Sequence, residues 1–323
     1  MKLTINNRVL DAREGETLLD VCRREGIPVP ALCFVPDAVH QPSCMVCMVL
    51  DTRSGQMVPS CSTRAAEGMV IDTESEEVGS LRKMALELLL SDHRADCEAP
   101  CTSACPHKLN VEGVLDAWDR EDYTAGRRLL AAVFDLPSVA CDDCKAPCEK
   151  VCRRGTVDAH VDIRGIIREL AAREDLPVTG RPEDVEKQDR TLFTSRIGTF
   201  TEAEKIRLRA EVDTPSTCLH CACAARSDCR LRELASQAGI RSSRFGLSSL
   251  QPFKRRRHIN GALWFEAAKC IRCGLCVLNS DDAFTFKRRG FGMEIDIPEE
   301  SLSHAPESLA GLCPTGALYL QEP

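Results

Sequence analysis

Apolar and polar side chains alternate over residues 2–12, around the tripeptide "NNR". Alternation of this kind is typical of a half-buried strand, and consecutive asparagines favour a tight turn, so the segment predicts a β-hairpin. The next stretch, "ETLLDVCRREG", places its apolar residues on one face of a helix that Gly26 ends. Cys22 lies on that face beside Leu18 and Leu19, which predicts a core residue and not a ligand.

Helical patterns follow in the middle of the chain. Residues 80–91 predict a helix leading to "SDHRADC", and "VEGVLDAW", "AGRRLLAAVF" and "DIRGIIRELAA" predict further helices within 107–175. Residues 176–215 are charged and poor in core residues, which predicts a linker. Beyond residue 259, the segments "GALWFEAAKC", "FTFKRRGFGMEIDI" and "GALYL" predict short strands and a hairpin.

Composition explains why these elements need more than an apolar core. The 323 residues include 20 cysteines but only ten Phe, two Tyr and two Trp. Several small cores are therefore expected, held together by something besides hydrophobic burial. The start of the chain has no basic region followed by an apolar one, so no secretory signal is expected, and many cysteines without export favour thiolate chemistry over disulfides.

Charge and hydropathy exclude two classes of partner. The longest apolar run, "MALELLL", is far too short to span a bilayer, so no transmembrane segment is expected and the protein is predicted to be cytoplasmic. A net charge of -7 argues against nucleic acid. The basic run "KRRRH" at 254–258 is interpreted as a solvated linker or docking patch.

Apart from Cys22, the cysteines fall into groups. They are Cys33, Cys44, Cys47 and Cys61; Cys97, Cys101, Cys105, Cys141, Cys144, Cys148 and Cys152; Cys218, Cys221, Cys223 and Cys229; and Cys270, Cys273, Cys276 and Cys313.

The last group has the spacing C-x2-C-x2-C with a remote Cys-Pro. Three thiolates on one tight loop can bind three irons of a cubane, and a distant thiolate can bind the fourth, so the group predicts a [4Fe-4S] cluster. Gly274 would let the backbone approach that cluster closely. Zinc is the main alternative, although zinc sites usually use two C-x2-C pairs.

The first group, C-x10-C-x2-C-x13-C, does not fit a cubane loop. With its hairpin, its helix and the stretch "IPVPALC", it resembles the [2Fe-2S] ferredoxin domain of the large iron-sulfur subunit of respiratory complex I and of diaphorase subunits of NAD-linked hydrogenases and formate dehydrogenases. The resemblance continues into "MALELLLSDHRADC", where the family has a cluster-ligating histidine before a cysteine. It implies that His93 is a ligand. A histidine that only hydrogen-bonds a sulfide or caps its helix remains the alternative.

The second group departs from complex I. The segments "CEAPCTSACPHKLNV" and "CDDCKAPCEKVCRRG" resemble the N-terminal domain of the glutamate synthase small subunit and of dihydropyrimidine dehydrogenase, where two cross-ligated [4Fe-4S] clusters use cysteines of both segments. The resemblance implies that Cys97, Cys101 and Cys152 hold one cluster, and that Cys105, Cys144 and Cys148 hold another. Ile167 occupies the place of a family Gln or Glu ligand, which leaves His93 and Cys141 to complete the two cubanes.

The third group packs four cysteines into "CLHCACAARSDC". With the following "RLRELASQAGI", it resembles the C-x2-C-x5-C helix entry of the complex I subunit with one cysteine added. Four thiolates in twelve residues can close around a single cubane, so a further [4Fe-4S] cluster is predicted, with a zinc knuckle as the alternative. His220 lies inside this loop and is expected to neighbour the cluster without ligating it.

These expectations describe an α+β chain of several modules. Residues 1–78 form a β-grasp [2Fe-2S] ferredoxin domain and 79–175 an α-helical bis-[4Fe-4S] domain. A linker with a four-cysteine module covers 176–258, and a C-terminal ferredoxin-like [4Fe-4S] region covers 259–323. The predicted cofactors are one [2Fe-2S] and four [4Fe-4S] clusters.

No G-x-G-x-x-G motif after a strand and no P-loop is present in the sequence. We therefore expect an electron-transfer subunit of a hetero-oligomeric complex. Its partners would be a flavoprotein that oxidises NAD(P)H and a second redox subunit such as a hydrogenase, formate dehydrogenase or other reductase. A zinc-stabilised scaffold and a reductase with a cryptic flavin site are the alternatives.

Overall fold

The computed structural model describes residues 1–93, 97–176, 178, 202–210, 217–223, 229–240, 245 and 257–321. The chain divides into two compact units. Unit 1 combines Met1–Arg94 with Ala224–Pro323, and unit 2 is Ala95–Cys223, one continuous segment of the sequence. The predicted boundaries at 78/79 and 258/259 both fall inside unit 1, so the compact units differ from the four predicted domains.

The strands all belong to unit 1. In chain order they are β1 (Lys2–Ile5), β2 (Arg8–Asp11), β3 (Met48–Asp51), β4 (Gln56–Pro59), β5 (Val70–Asp72), β6 (Arg257–Asn260), β7 (Leu263–Phe265), β8 (Thr285–Lys287), β9 (Glu294–Asp296) and β10 (Leu318–Leu320). The helices, which occur in both units, are α1 (Leu18–Arg24), α2 (Glu76–Asp92), α3 (Pro100–Ala104), α4 (Val111–Asp119), α5 (Tyr123–Ala131), α6 (Pro147–Lys150), α7 (Ile163–Ala172), α8 (Glu202–Ala210), α9 (Arg230–Gln237), α10 (Leu275–Leu278) and α11 (Leu309–Leu312).

The first sheet of unit 1 has the strand order β2-β1-β5-β3-β4. Strands β1 and β5 are parallel, and the other neighbours are antiparallel. Asn6 and Asn7 connect β1 to β2 with φ angles of 48° and 64°, the left-handed conformation that a two-residue hairpin turn needs and that asparagine tolerates. The hairpin predicted from the sequence is confirmed.

Helix α1 covers one face of this sheet. Thr17 and Asp20 form a capping box, in which the Asp20 carboxylate accepts the Thr17 N–H and the Thr17 hydroxyl accepts the Asp20 N–H. The helix ends before Gly26, whose φ is 69°. Cys22 is fully buried in the core beneath the helix, as predicted.

Helix α2 also belongs to unit 1. It packs against β3 and against α9. The Arg82 guanidinium donates from Nε to the Met48 carbonyl oxygen (2.9 Å) and from Nη1 to the Thr73 carbonyl oxygen (3.0 Å). These contacts explain why the helix assigned by sequence to the helical domain groups with the first sheet instead.

The C-terminal part of unit 1 contains a three-stranded antiparallel sheet in the order β10-β7-β6 and the hairpin β8-β9, as the sequence predicts. Its core includes Leu263, Phe284 and Leu318. Strand β6 begins at Arg257, so the last two residues of the basic run "KRRRH" lie in a strand. The earlier residues of that run lie outside the described part of the chain.

Unit 2 is helical in its described residues, and α4, α5 and α7 pack against one another. Each of the three helices begins at an Asn or Asp whose side chain accepts the backbone N–H three residues further on: Asn110, Asp122 and Asp162. The buried Arg127 donates to the carbonyl oxygens of Leu170 and Ala171 at the end of α7, and so satisfies carbonyls that the helix itself leaves without partners. The helices predicted over 107–175 are confirmed.

Helix α8 is the main described part of the predicted linker, and most of 176–215 lies outside the described residues. None of the helices in the described ranges is long and apolar enough to cross a membrane.

Candidate metal centres

All twenty cysteines fall within the described residues, and none forms a disulfide. Fourteen of them are buried, and the other six are partly buried. In the described part of the chain, no group of three or more His, Cys, Asp or Glu side chains is placed to hold a single metal ion. A zinc scaffold therefore gains no support from the geometry, because zinc needs its ligands around one point.

The first cysteine group is the most deeply buried. Cys33, Cys44, Cys47 and Cys61 are each at most 3% exposed, and the sulfur atoms of Cys33 and Cys44 are 3.3 Å apart. Strand β3 starts immediately after Cys47, and β4 ends two residues before Cys61, so the β3-β4 hairpin brings these two residues together. The Ser60 hydroxyl fixes this arrangement by donating to the Cys47 carbonyl oxygen (2.7 Å).

Hydrogen bonds among these thiols shift their pKa values in opposite directions. Bonds from Cys44 and Cys61 lower the pKa of Cys33, and a bond from Cys61 lowers the pKa of Cys47 to about 6. Donating these bonds raises the pKa of Cys44 and Cys61. The four sulfur atoms therefore lie within contact of one another, as ligands of a small cluster must.

The last cysteine group lines a cavity of about 330 Å³, part of it open solvent space. Cys270, Cys273, Cys276 and Cys313 surround it together with apolar residues such as Phe265, Ile295 and Leu318. Burial raises the pKa of Cys270 to about 12 and also raises the pKa of Cys273 and Cys276. Thiolates in such surroundings need a compensating positive charge, which bound iron would supply.

Backbone donors point at the sulfur atoms of this site. The Arg272 N–H donates to Cys270 Sγ (3.3 Å), and the Leu318 N–H donates to Cys313 Sγ (3.4 Å). Gly274 has a φ of 79°, and a Cβ there would lie 2.9 Å from Phe286 Cζ. The cavity, the four thiols and the N–H donors all fit a [4Fe-4S] cluster.

The first and last groups are neighbours within unit 1. The 39–44 segment, which leads to Cys44, lies against the 273–279 segment, which contains Cys273 and Cys276. The Val39 N–H donates to Asn279 Oδ1 (2.9 Å), Asn279 Nδ2 donates to the Val39 carbonyl oxygen (2.8 Å), and Ser43 Oγ lies 3.4 Å from the Cys273 carbonyl oxygen. More than 200 residues of sequence separate these two segments.

One set of thiols in unit 2 is built around α6 and α7. Burial raises the pKa of Cys141 and of Cys148 to about 11, and charge on Cys105 raises both further. Arg164 donates to the Cys144 carbonyl oxygen (3.3 Å), and Arg168 donates to Asp142 Oδ1 (2.8 Å). Cys105, Cys141, Cys144 and Cys148 thus lie together, and that they hold one cubane stays a prediction.

Ile167 is buried in the apolar core of unit 2. Helix α7, which carries it, packs against the short 3₁₀ helix Ala140–Asp142. The position that the family uses for a Gln or Glu ligand therefore has a packing role here, while Cys141 lies on the element that α7 contacts.

A second set of thiols in unit 2 brings the opening of the third group to the second. Cys101 and Cys218 belong to one core cluster, and Cys152 and Cys221 pack against it. Cys218, Cys221 and Cys223 belong to unit 2, whereas Cys229 belongs to unit 1. The sequence treated these four as one local site and gave no signal that Cys218 neighbours Cys101.

His220 faces carboxylates of α4. Its Nε2 lies 3.1 Å from Asp119 Oδ2, and its Nδ1 lies 3.5 Å from Glu112 Oε1 and 3.6 Å from Asp116 Oδ1. Burial acts to lower the His220 pKa, but bonds to Asp119, Cys218 and Glu112 outweigh it and raise the pKa to about 12. The ring is thus engaged by carboxylates, in agreement with a position beside a cluster and not on it.

The remaining predicted ligands occupy helix ends or buried positions. His93 is 4% exposed and follows the last residue of α2. Cys229 is the N-cap of α9, and its sulfur atom accepts the Arg232 N–H (3.5 Å). Cys97 and Cys223 are buried. Their roles as ligands stay predictions.

Comparison with known proteins identifies the first of these centres. Residues 1–76 match the family model of the 2Fe-2S iron-sulfur cluster binding domain. The N-terminal part of the chain is therefore a ferredoxin-type [2Fe-2S] domain within a mixed α+β structure, as predicted.

Curated relatives extend the similarity. The chain is 36% identical over 181 residues to the NADP-reducing hydrogenase subunit HndD of Solidesulfovibrio fructosivorans, covering 53% of this chain and 30% of that protein. It is 29% identical over 97 residues to the NAD-reducing hydrogenase HoxS subunit gamma of Cupriavidus necator, covering 30% and 41%. It is 27% identical over 232 residues to the NADPH-Fe(3+) oxidoreductase subunit alpha of Geobacter sulfurreducens, covering 69% and 27%. The chain thus spans less than half the length of each of these relatives.

A solved structure shares the fold. A chain of the crystal structure of NAD+-reducing [NiFe]-hydrogenase in the H2-reduced state superimposes with a TM-score of 0.52 at 17% identity, covering 99% of this chain and 87% of that one. The resemblance to subunits of NAD-linked hydrogenases and complex I is confirmed. The resemblance of the second cysteine group to the glutamate synthase small subunit stays a prediction.

Proposed function

We propose that this protein is an iron-sulfur electron-transfer subunit with one [2Fe-2S] and four [4Fe-4S] clusters. It carries electrons between a flavin-bearing, NAD(P)H-linked partner and another redox enzyme, such as a hydrogenase, a formate dehydrogenase or another reductase. The observation that carries the proposal is the contact between the 39–44 and 273–279 segments, which makes neighbours of two buried four-cysteine sites.

The ligands proposed for these two sites are the four cysteines of the first group and the four of the last. When bound, such clusters accept and release single electrons, and neighbouring sites allow exchange between them. The protein keeps the sulfur atoms out of water and directs N–H donors at them, and both effects tune a cluster's reduction potential. The short connection through Val39, Ser43 and Asn279 fixes the spacing of the two sites.

The proposed partners rest on similarity. Relatives that share the [2Fe-2S] domain are named as subunits of NADP-reducing and NAD-reducing hydrogenases and of an NADPH-Fe(3+) oxidoreductase. A hydride donor delivers two electrons at once, so a flavin must divide the pair before single-electron carriers can accept it. We therefore propose a hetero-oligomeric complex, located in the cytoplasm, where thiolates remain reduced.

The test is reduction of the anaerobically purified chain, followed by visible absorbance. We expect dithionite to bleach the clusters and NADH or NADPH to leave them oxidised until a flavoprotein partner is added. Steady NAD(P)H-dependent dye reduction by the chain alone, with flavin found on analysis, would support a reductase with its own flavin site. A colourless chain containing stoichiometric zinc would support the structural scaffold.

A further inference from the structure

The third cysteine group does not stay together in the structure, because its first member lies in the core of unit 2 with Cys101. We propose that Cys218 is a ligand of the cubane of unit 2 that also uses Cys97, Cys101 and Cys152. In this arrangement, the chain that returns after the linker closes a cluster begun more than 60 residues earlier. The inference rests on the proposed function, since it assigns ligands to one of the proposed clusters.

The first support is the attachment of the Cys218 segment to α4. His220 lies 3.1 Å from Asp119 and 3.5 Å from Glu112. The Glu112 N–H donates in turn to the hydroxyl of Thr102 (3.2 Å), a buried residue adjacent to Cys101. A continuous series of polar contacts therefore leads from the loop that carries Cys218 to the residue next to Cys101.

The second support comes from the side of Cys152. Arg154, two residues further along the chain, is 1% exposed and is held by Asp158. Its Nη1 lies 3.5 Å from the carbonyl oxygen of Thr217, the residue before Cys218. Helix α8 reaches the same region, since Arg209 donates to the Val157 carbonyl oxygen (2.8 Å). The returning chain is thus attached on both sides of the proposed site.

The thiols themselves also interact. Burial raises the pKa of Cys101, and charge on Cys218 followed by charge on Cys152 raises it further. Cys218 Sγ accepts the backbone N–H of His220 (3.3 Å), a contact of the kind that cluster ligands receive. Cys101 and Cys218 are each 8% exposed. Helix α3, which carries Cys101, packs against α6, which ends two residues before Cys152.

Cys97 completes the set from the sequence, as the partner of Cys101 in C-x3-C. A consequence of the proposal is that His93 is not needed for this cubane. The chain thereby joins its second and third cysteine groups through a covalent ligand, so the order of cysteines along the sequence does not give the order of clusters.

The experiment compares Cys218→Ser with Cys101→Ser and Cys229→Ser in the full chain, purified anaerobically with ⁵⁷Fe. The readouts are iron per chain, Mössbauer spectra, and electron paramagnetic resonance of the dithionite-reduced protein. We expect Cys218→Ser to alter the same cluster signal as Cys101→Ser, with a loss of up to about four irons. The double variant should lose no more than either single variant, because both residues serve one cluster. Cys22→Ala, which removes a core thiol, is the matched control and should keep every signal.

Alteration by Cys218→Ser of the signal that Cys229→Ser alters would overturn the inference and support one local cubane from Cys218 to Cys229. If a serine variant does not accumulate, Cys218→Asp and Cys101→Asp retain an anionic ligand, and they should both shift the potential of one and the same cluster. Shifts in two different clusters would overturn the inference as well. Absence of iron from the unmodified chain would instead remove the proposed function on which the inference rests.

Discussion

Val39 and Asn279 are joined by two hydrogen bonds, one in each direction, although 240 positions separate them in the sequence. The backbone of Val39 donates to and accepts from the side-chain amide of Asn279, and Asn279 Nδ2 also donates to the Leu275 carbonyl oxygen (2.8 Å). One amide thus fixes both the loop before Cys44 and the short helix that carries Cys276. This connection sets the separation of the two cluster sites.

Removing that connection should loosen the coupling of the two clusters without removing either. Asn279→Ala loses hydrogen bonds worth about 1 kcal/mol each, and all eight cysteines remain. We expect unchanged iron per chain but weaker magnetic interaction between the reduced [2Fe-2S] centre and the C-terminal cubane, measured as slower spin relaxation of the [2Fe-2S] signal.

Asn260→Ala is the matched control for that change. Asn260 also makes two side-chain hydrogen bonds, to the carbonyl oxygens of Leu302 and Ala305, but both stay within the C-terminal part of unit 1. It should lower stability by a similar amount and leave spin relaxation unchanged. Equal relaxation in Asn279→Ala and the unmodified chain would show that the contact does not set the cluster spacing.

Gly274 should be the least replaceable glycine of the C-terminal site. A side chain at its φ of 79° costs about 1–2 kcal/mol, and a Cβ would also crowd Phe286 and lie 3.4 Å from Gln41 Nε2. We expect Gly274→Ala to lower the free energy of unfolding by at least that amount and to reduce iron occupancy of the C-terminal site. Denaturant titration and iron analysis would measure both effects.

Gly311→Ala provides the comparison, because a Cβ at Gly311 meets nothing within 4 Å. It should be neutral or slightly stabilising, since alanine favours the helical conformation of α11. Equal stability of the two variants would contradict the structural role assigned to Gly274.

The sequence predicted the elements whose cause is local. The Asn6-Asn7 turn, the capped helix α1 and the burial of Cys22 all follow from residues within a few positions of each other. Contacts across long separations left no such signal. Neither the pairing of Val39 with Asn279 nor the approach of Cys218 to Cys101 alters a local hydrophobic period, so cysteine spacing alone favoured a self-contained third group.

Helix α2 shows the same limit at the level of domains. Its apolar period predicted a helix over 80–91, and the structure extends this to Glu76–Asp92. Periodicity does not reveal which neighbour a helix packs against. Arg82 decides this by donating to the backbone of Met48 and Thr73, which places the helix with the [2Fe-2S] domain.

His93 should affect one cluster potential. A neutral imidazole in place of a thiolate makes a cluster less negative and raises its reduction potential. His93→Cys should therefore keep the iron content and lower one potential in a redox titration followed by electron paramagnetic resonance. Because α2 packs against α9 in unit 1, we expect the affected centre to be the one that Cys229→Ser alters.

His304→Cys introduces a cysteine at an exposed histidine and should leave every potential unchanged. If His93→Cys also leaves every potential unchanged, His93 is a neighbour of a cluster and another group completes that centre.

The central claim is that the cysteine groups hold clusters, and the iron and acid-labile sulfide content of the anaerobically purified chain tests it most directly. One [2Fe-2S] and four [4Fe-4S] clusters predict about 18 irons and about 18 sulfides per chain. Iron below about half that value, together with stoichiometric zinc, would contradict the account.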